Sequence, residues 1–183
     1  MVVMESQVVL RKGDMAPDFD LLGVDGKRHS LATYKDYEAL LVIFMCNHCP
    51  YVKAKVDAIN EIQNKFQGKV AVVGINSNDP VSYPDDSFDN MKIFAKEKAI
   101  SFSYLVDDTQ QVAKRFGAVC TPDPFLFDKN RKLVFHGRID NAMKPEDKAT
   151  EKTMIANIER LLANKPIVKD FDPSIGCSIK WKK

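Results

Sequence analysis

No stretch of this 183-residue sequence is apolar for long enough to cross a bilayer. Met1 to Lys12 lacks a secretory apolar core, because Glu5, Ser6 and Gln7 interrupt its two short apolar patches. The cytoplasm is therefore the expected address, with no membrane partner. An excess of one charge is missing too: 27 basic against 25 acidic side chains leave a net charge of +2. That gives no polyelectrolyte basis for binding nucleic acid. With only eight glycines and nine prolines, and 45% of residues hydrophobic, the composition excludes disorder as the main state. Four cysteines are too few for a disulfide-built scaffold, and in a reducing compartment a paired thiol is more often catalytic or metal-binding than structural. Neither an internal repeat nor a low-complexity linker divides the chain. One domain over 1–183 is expected, with a core at about 14–163 and a tail at 164–183.

What is present reads as an α/β pattern. Phe19-Asp20-Leu21 and Arg28-His29-Ser30 flank Asp25-Gly26, a hairpin signal. Leu40 to Met45 and Val70 to Ile75 are apolar runs of the kind buried on both faces of a sheet. Between them, Val52, Val56, Ile59, Ile62 and Phe66 recur at helical spacing, so a parallel strand–helix–strand unit is expected. Asn76 to Asp86 reads as a loop, and the acidic stretch Asp79 to Asp89 as a solvated one. A helix is expected near Ser87 to Lys98, a strand at Tyr104 to Val106, and a short helix capped by Asp108 or Thr109. Phe125 to Phe127 and Leu133 to Phe135 form a second hairpin, which leads to a helix near Glu151 to Ala163. From Pro166 to Trp181 the chain is expected to run extended. The sum is a mixed sheet with helices on both faces.

The chemistry concentrates at Cys46-Asn47-His48-Cys49, between the first buried strand and the amphipathic helix. A helix N-terminus favours a thiolate through its unpaired N–H groups and dipole. Two intervening residues bring both sulfurs within bonding reach, so the pair can pass between dithiol and disulfide. Pro50 fits only in the first helical turn. A zinc site is the competing reading, yet no second Cys pair at similar spacing exists; Cys120 with His48 would be needed to complete a set with Cys46 and Cys49. His48 can stabilise Cys46 as a thiolate by imidazolium charge or hydrogen bonding, whereas Asn47 only shapes the turn. Thr121-Pro122 precedes a buried strand. The reading taken here is a cis bond that leaves the Thr121 or Cys120 backbone unpaired for an extended substrate. Cys120 is a third redox thiol, a metal ligand or a packed residue, and Cys177 is expected to anchor the tail by packing. His29 and His136 are expected to be solvated or satisfied on strands.

On these motifs the chain resembles the thioredoxin-fold superfamily, and within it the AhpC/TSA-type redoxins, over about Asp14 to Ala163. Gly13-Asp14-Met15-Ala16-Pro17-Asp18-Phe19 looks like their Gly-x-x-Ala-Pro-x-Phe opening. Cys46 to Cys49 is similar to their active pair, and Pro122 to Phe127 to their cis-proline and following strand. The resemblance implies a thioredoxin-like fold and a thiol–disulfide oxidoreductase needing no cofactor. It makes Cys46 the exposed nucleophile, Cys49 the resolving thiol and Pro122 the cis-proline packed against them. It also implies a protein or small-molecule disulfide as substrate and a thiol as electron donor. Three features depart from the pattern. Asn47 stands where oxidising relatives carry Pro or Gly, Leu40 falls where thioredoxins bury an acid, and Glu38 is misplaced to replace that acid. The rival enzyme in the same superfamily is a peroxiredoxin. Its nucleophile needs a threonine three residues earlier, where Cys46 has Ile43 and Cys49 has Cys46. A metal-handling protein using Cys46, Cys49, Cys120 and His48 is the non-enzymatic alternative.

Overall fold

A computed structural model describes residues 2–183. Strands β4 (Ala39–Phe44), β5 (Val70–Asn76) and β6 (Ser103–Val106) lie parallel at the centre. All residues of β4 and β5 are buried, which is why both read as unbroken apolar runs. On one side, β8 (Asp123–Asp128) pairs antiparallel with β4, and β9 (Leu133–Gly137) antiparallel with β8. On the other, β2 (Asp20–Gly23) joins β6 and forms the expected hairpin with β3 (Arg28–Ser30).

Alternation along β4 divides the core into two layers. Leu41 and Ile43 face α2 (Val56–Lys65), α3 (Phe88–Glu97) and α5 (Thr153–Leu162). Leu40, Val42 and Phe44 face α4 (Gln111–Phe116) with Phe116, Phe125 and Phe127. Phe116 meets Phe44, Phe125 and Phe127 edge-on at centroid separations of 5.2, 5.4 and 6.0 Å, a favoured arrangement for aromatic pairs. The expected helix after the cysteine motif is two pieces, α1 (Pro50–Lys53) and α2. The ladder tightens between them, because Lys55 N–H bonds Val52 three residues back rather than four. The cap of α4 is Gln110, at φ 61°, and not Asp108 or Thr109. Asp107 satisfies the Ala113 N–H of that helix instead.

The ends of the chain depart most from expectation. β10 (Phe171–Asp172) runs parallel to β9 and extends the main sheet. β11 (Ile175–Ser178) lies between β1 (Val3–Glu5) and β7 (Cys120–Thr121) in a separate three-stranded sheet. Cys177 pairs with Thr121 and Ser178 with Cys120. The tail is thus extended, as its sequence implies, and is also built into the sheet structure.

The aromatic layer makes one stability prediction. Phe125→Ala removes the ring between Phe44 and Phe116, and should cost about 3–5 kcal/mol. Urea unfolding should show a lower midpoint at an unchanged slope, whereas a loss below about 1 kcal/mol would mean that the layer repacks around the gap.

Candidate active site

β4 ends at Phe44, Met45 N–H still bonds Ile75 O at 2.9 Å, and the chain then leaves the sheet as Cys46 to Cys49. Cys49 caps α1 and Pro50 takes its first position, as the sequence requires. Because α1 spans only four residues, its dipole contributes less than the sequence reading assumed. The Thr121–Pro122 bond is cis and lies beside the motif, with the Cys49 Sγ 3.2 Å from Thr121 O. Thr121 also brings its hydroxyl to 3.5 Å from Cys46 Sγ.

Three sulfurs meet here, not two. Cys49 Sγ lies 2.7 Å from Cys177 Sγ, with Cys46 on its other side in the motif. All three cysteines are 0% exposed. That corrects the expectation of Cys46 as an exposed, low-pKa thiol. The hydrogen bond to Cys49, burial, and the nearby Asp86 charge all push the Cys46 thiol up. Its contacts with Cys177 and Cys46 draw the Cys49 thiol well below its ordinary value, against burial. Val52 N–H makes no full capping bond to this sulfur, yet it and Cys177 N–H add to the effect. The Cys177 thiol is pushed up by its contact with Cys49 and by burial.

His48 does not spend its charge on Cys46. Its Nδ1 lies 2.6 Å from Asp86 Oδ2, and its ring stacks on Tyr83 at 5.6 Å. Asp86 also accepts from Asn47 N–H at 2.8 Å and from the Asn78 side chain at 2.7 Å. So Asp86, read from sequence as part of a solvated acidic loop, is buried and ties that loop to the motif; Asp79 is buried as well, while Asp85 and Asp89 are exposed. Asn47 does more than shape a turn: it donates to Asp85 O and accepts from Tyr104 Oη at 2.8 Å. Neither Asp86 nor Tyr104 carries a local sequence signal, since both arrive from distant elements.

Cys120 stays apart from the cluster. It neighbours Thr121 on β7, so its side chain takes the opposite face, where burial pushes its thiol up. Its sulfur contacts Pro122 O at 3.9 Å. Its backbone, and that of Thr121, are paired with β11 and are not open to a substrate strand. The four-residue metal set proposed from sequence is therefore not assembled. Among the described residues, Cys46, His48 and Asp86 do bring a sulfur, a nitrogen and an oxygen within 4.8 Å of one another. These donors are turned on each other, His48 to Asp86, which satisfies them internally. His29 bonds Asp25 and Tyr34 and is satisfied on its strand, whereas His136, buried against Asp123 at 2.7 Å, is satisfied at Nε2 and leaves its Nδ1 without a partner.

The Asp86 hydrogen bond raises the His48 pKa above 6.5, against burial and the Lys180 charge. A raised base stabilises the fold fully below its unfolded pKa of about 6.5, and that contribution is lost as pH rises through the folded value. Asp86→Asn should return the His48 titration midpoint towards 6.5 and flatten the matching part of the pH–stability curve. Imidazole NMR titration and urea midpoints from pH 5 to 9 read both; an unmoved midpoint would assign the shift to another group.

The AhpC/TSA family model matches residues 12–136. An uncharacterized conserved protein from Geobacillus kaustophilus is 40% identical, with a TM-score of 0.94 over 100% of this chain and 97% of that one. A thiol-disulfide oxidoreductase ResA from Geobacillus thermodenitrificans is 27% identical over 66% of this chain, and a chloroplastic peroxiredoxin Q from Populus jackii 29% over 59%. The chain spans only 66% and 47% of the length of these two relatives. A thiol:disulfide interchange protein DsbE from Chlorobium tepidum, 22% identical, shares the fold with a TM-score of 0.64 over 85% of this chain and 97% of that one. With a thioredoxin-like sheet, a Cys-x-x-Cys at the end of its central strand and a cis-proline beside it, this chain belongs to the AhpC/TSA family.

Proposed function

We propose that this protein is a cytoplasmic thiol–disulfide oxidoreductase whose Cys46–Cys49 pair reduces or exchanges disulfides through a mixed disulfide. The observation that carries the reading is the Cys46–Cys49 pair set against the cis Thr121–Pro122 peptide, with Cys46 Sγ 3.5 Å from the Thr121 hydroxyl and Cys49 Sγ 3.2 Å from Thr121 O. Cys49, whose thiol is drawn below its ordinary value, serves as the base in place of the acid missing at Leu40. The Cys49 thiolate takes the Cys46 proton, and Cys46 attacks the substrate disulfide. One substrate sulfur leaves as a thiolate and takes the proton from Cys49. Cys49 then attacks Cys46, releases the second substrate thiolate, and leaves the Cys46–Cys49 disulfide. A donor thiol restores the pair, and the two sulfurs carry the electrons without an organic cofactor. Pro122 and Thr121 position the reacting sulfurs, the latter through its carbonyl and hydroxyl.

His48, Tyr83, Pro84, Ser178 and Lys180 line a cleft of about 510 Å³ on the His48 side of the motif. This is the side from which a protein or small-molecule disulfide would approach. Peroxide is a poorer substrate in this reading. Ile43 offers no hydroxyl, and the Thr121 hydroxyl near Cys46 also reaches Cys177 O at 3.5 Å.

With a peptide disulfide, Cys49→Ser should accumulate a mixed disulfide on Cys46, found by mass spectrometry. Cys46→Ser should lose at least about two orders of magnitude in rate, as for a removed nucleophile. A substrate adduct on Cys49 in Cys46→Ser, at the wild-type rate, would exchange the two roles. In stopped flow, the reduced protein should react with the peptide disulfide faster than with hydrogen peroxide. The reverse order would make it a thiol peroxidase.

A further inference from the structure

β11 occupies the place where an extended substrate was expected to pair. Its close approach is built into the sequence: a Cβ on Gly176 would sit 1.9 Å from Thr121 O and 3.1 Å from Pro122 N. Only a residue without a side chain lets Cys177 follow against Thr121. The strand is also tied at both ends. Ser174 Oγ donates to Pro122 O at 2.7 Å, Ile179 N–H to Val119 O at 2.9 Å, and Lys180 N–H to the Asn78 side chain at 2.8 Å. These bonds hold the Cys177 thiol in place against Cys49.

Ordinary packing does not account for the sulfur contact. The 2.7 Å between Cys49 and Cys177 is shorter than the roughly 3.5–4.0 Å at which non-bonded carbons pack. It leaves about 0.6–0.7 Å to a disulfide. Cys49 stands between two thiols, Cys46 within its own motif and Cys177 in direct sulfur contact. The family match ends at residue 136, so Cys177 lies outside it.

We propose that Cys177 is a third redox residue, which exchanges with the Cys46–Cys49 disulfide to give a Cys49–Cys177 disulfide and release Cys46. The inference rests on the Cys46–Cys49 pair of the proposed function. In the step, the Cys177 sulfur attacks Cys49, the Cys46–Cys49 bond breaks, and the Cys49–Cys177 bond forms. The proton lost by Cys177 passes to the departing Cys46 thiolate. One disulfide is consumed and one made, so no outside oxidant or reductant is required. The fixed strand provides the proximity that makes such an exchange effectively unimolecular. The protein then remains oxidised by two electrons while Cys46 is again a thiol.

Full-length protein oxidised with diamide, acid-quenched, denatured and alkylated reads the arrangement directly. Trypsin releases Cys46 and Cys49 together in peptide 36–53 and Cys177 in peptide 170–180. Oxidised wild type should yield these peptides joined through Cys49, with Cys46 alkylated. In Cys177→Ser the joined peptide should vanish and Cys46 should become protected, locked to Cys49. In Cys46→Ser, diamide should form Cys49–Cys177 directly. If wild type holds only Cys46–Cys49 and Cys46→Ser forms no Cys49–Cys177 link, the inference is overturned while the proposed pair stands. If no Cys46–Cys49 disulfide forms even in Cys177→Ser, the proposed function fails instead. The wild-type map requires no variant to fold.

Discussion

The arrangement of the site depends on how closely β11 can lie on β7. Two strands in register approach within about 5 Å, and here the Thr121 carbonyl lies close to both Cys49 and Gly176. A side chain at position 176 would meet that carbonyl before the strand could dock. With glycine there, the two ends of the chain close over β7 as a small sheet, and the motif thiols end with no exposed surface. The Cys49–Cys177 sulfur contact and the loss of an open edge beside Thr121 both follow from that close approach.

Burial makes the polar groups around the motif interdependent. A buried carboxylate is costly unless its oxygens are bonded. Asp86 meets that condition with the Asn47 N–H, the His48 ring and the Asn78 side chain. The same bonds fix the Cys46–Cys49 loop, and they direct the His48 charge away from the sulfurs. Asn47 extends the network to Tyr104 on β6, so the site is braced from two strands away on the same face of the central sheet.

The relatives place these features in a setting common to reductases and peroxidases, since both names occur among similar chains. What divides the two chemistries is local. A peroxidase needs hydroxyl donors around one thiolate, and a disulfide reductase needs a second sulfur to resolve the first. Here the second sulfur lies three residues from the first in the same motif, whereas among the described residues the hydroxyl bonded to Cys46 comes from Thr121 and reaches Cys177 O as well.

The local pattern of the sequence determined the layers and the motif. Unbroken apolar runs marked β4 and β5, helical spacing marked the α2 face, and the strand-to-helix junction put Cys46 and Cys49 together. The hairpin at Asp25-Gly26 and the proline beside the thiols were legible for the same reason: a few adjacent residues carry the signal. Tertiary structure alone decided the partners. Asp86 is 38 residues from His48 and Cys177 is 128 from Cys49, and no periodicity spans such distances. An aspartate in a polar loop or a cysteine in a tail has the same local pattern whether it is solvated or buried. Which of the two occurs depends on long-range pairing: β5 and the loop after it bring Asp86 under the motif, and Gly176 allows the tail to lay Cys177 on Cys49.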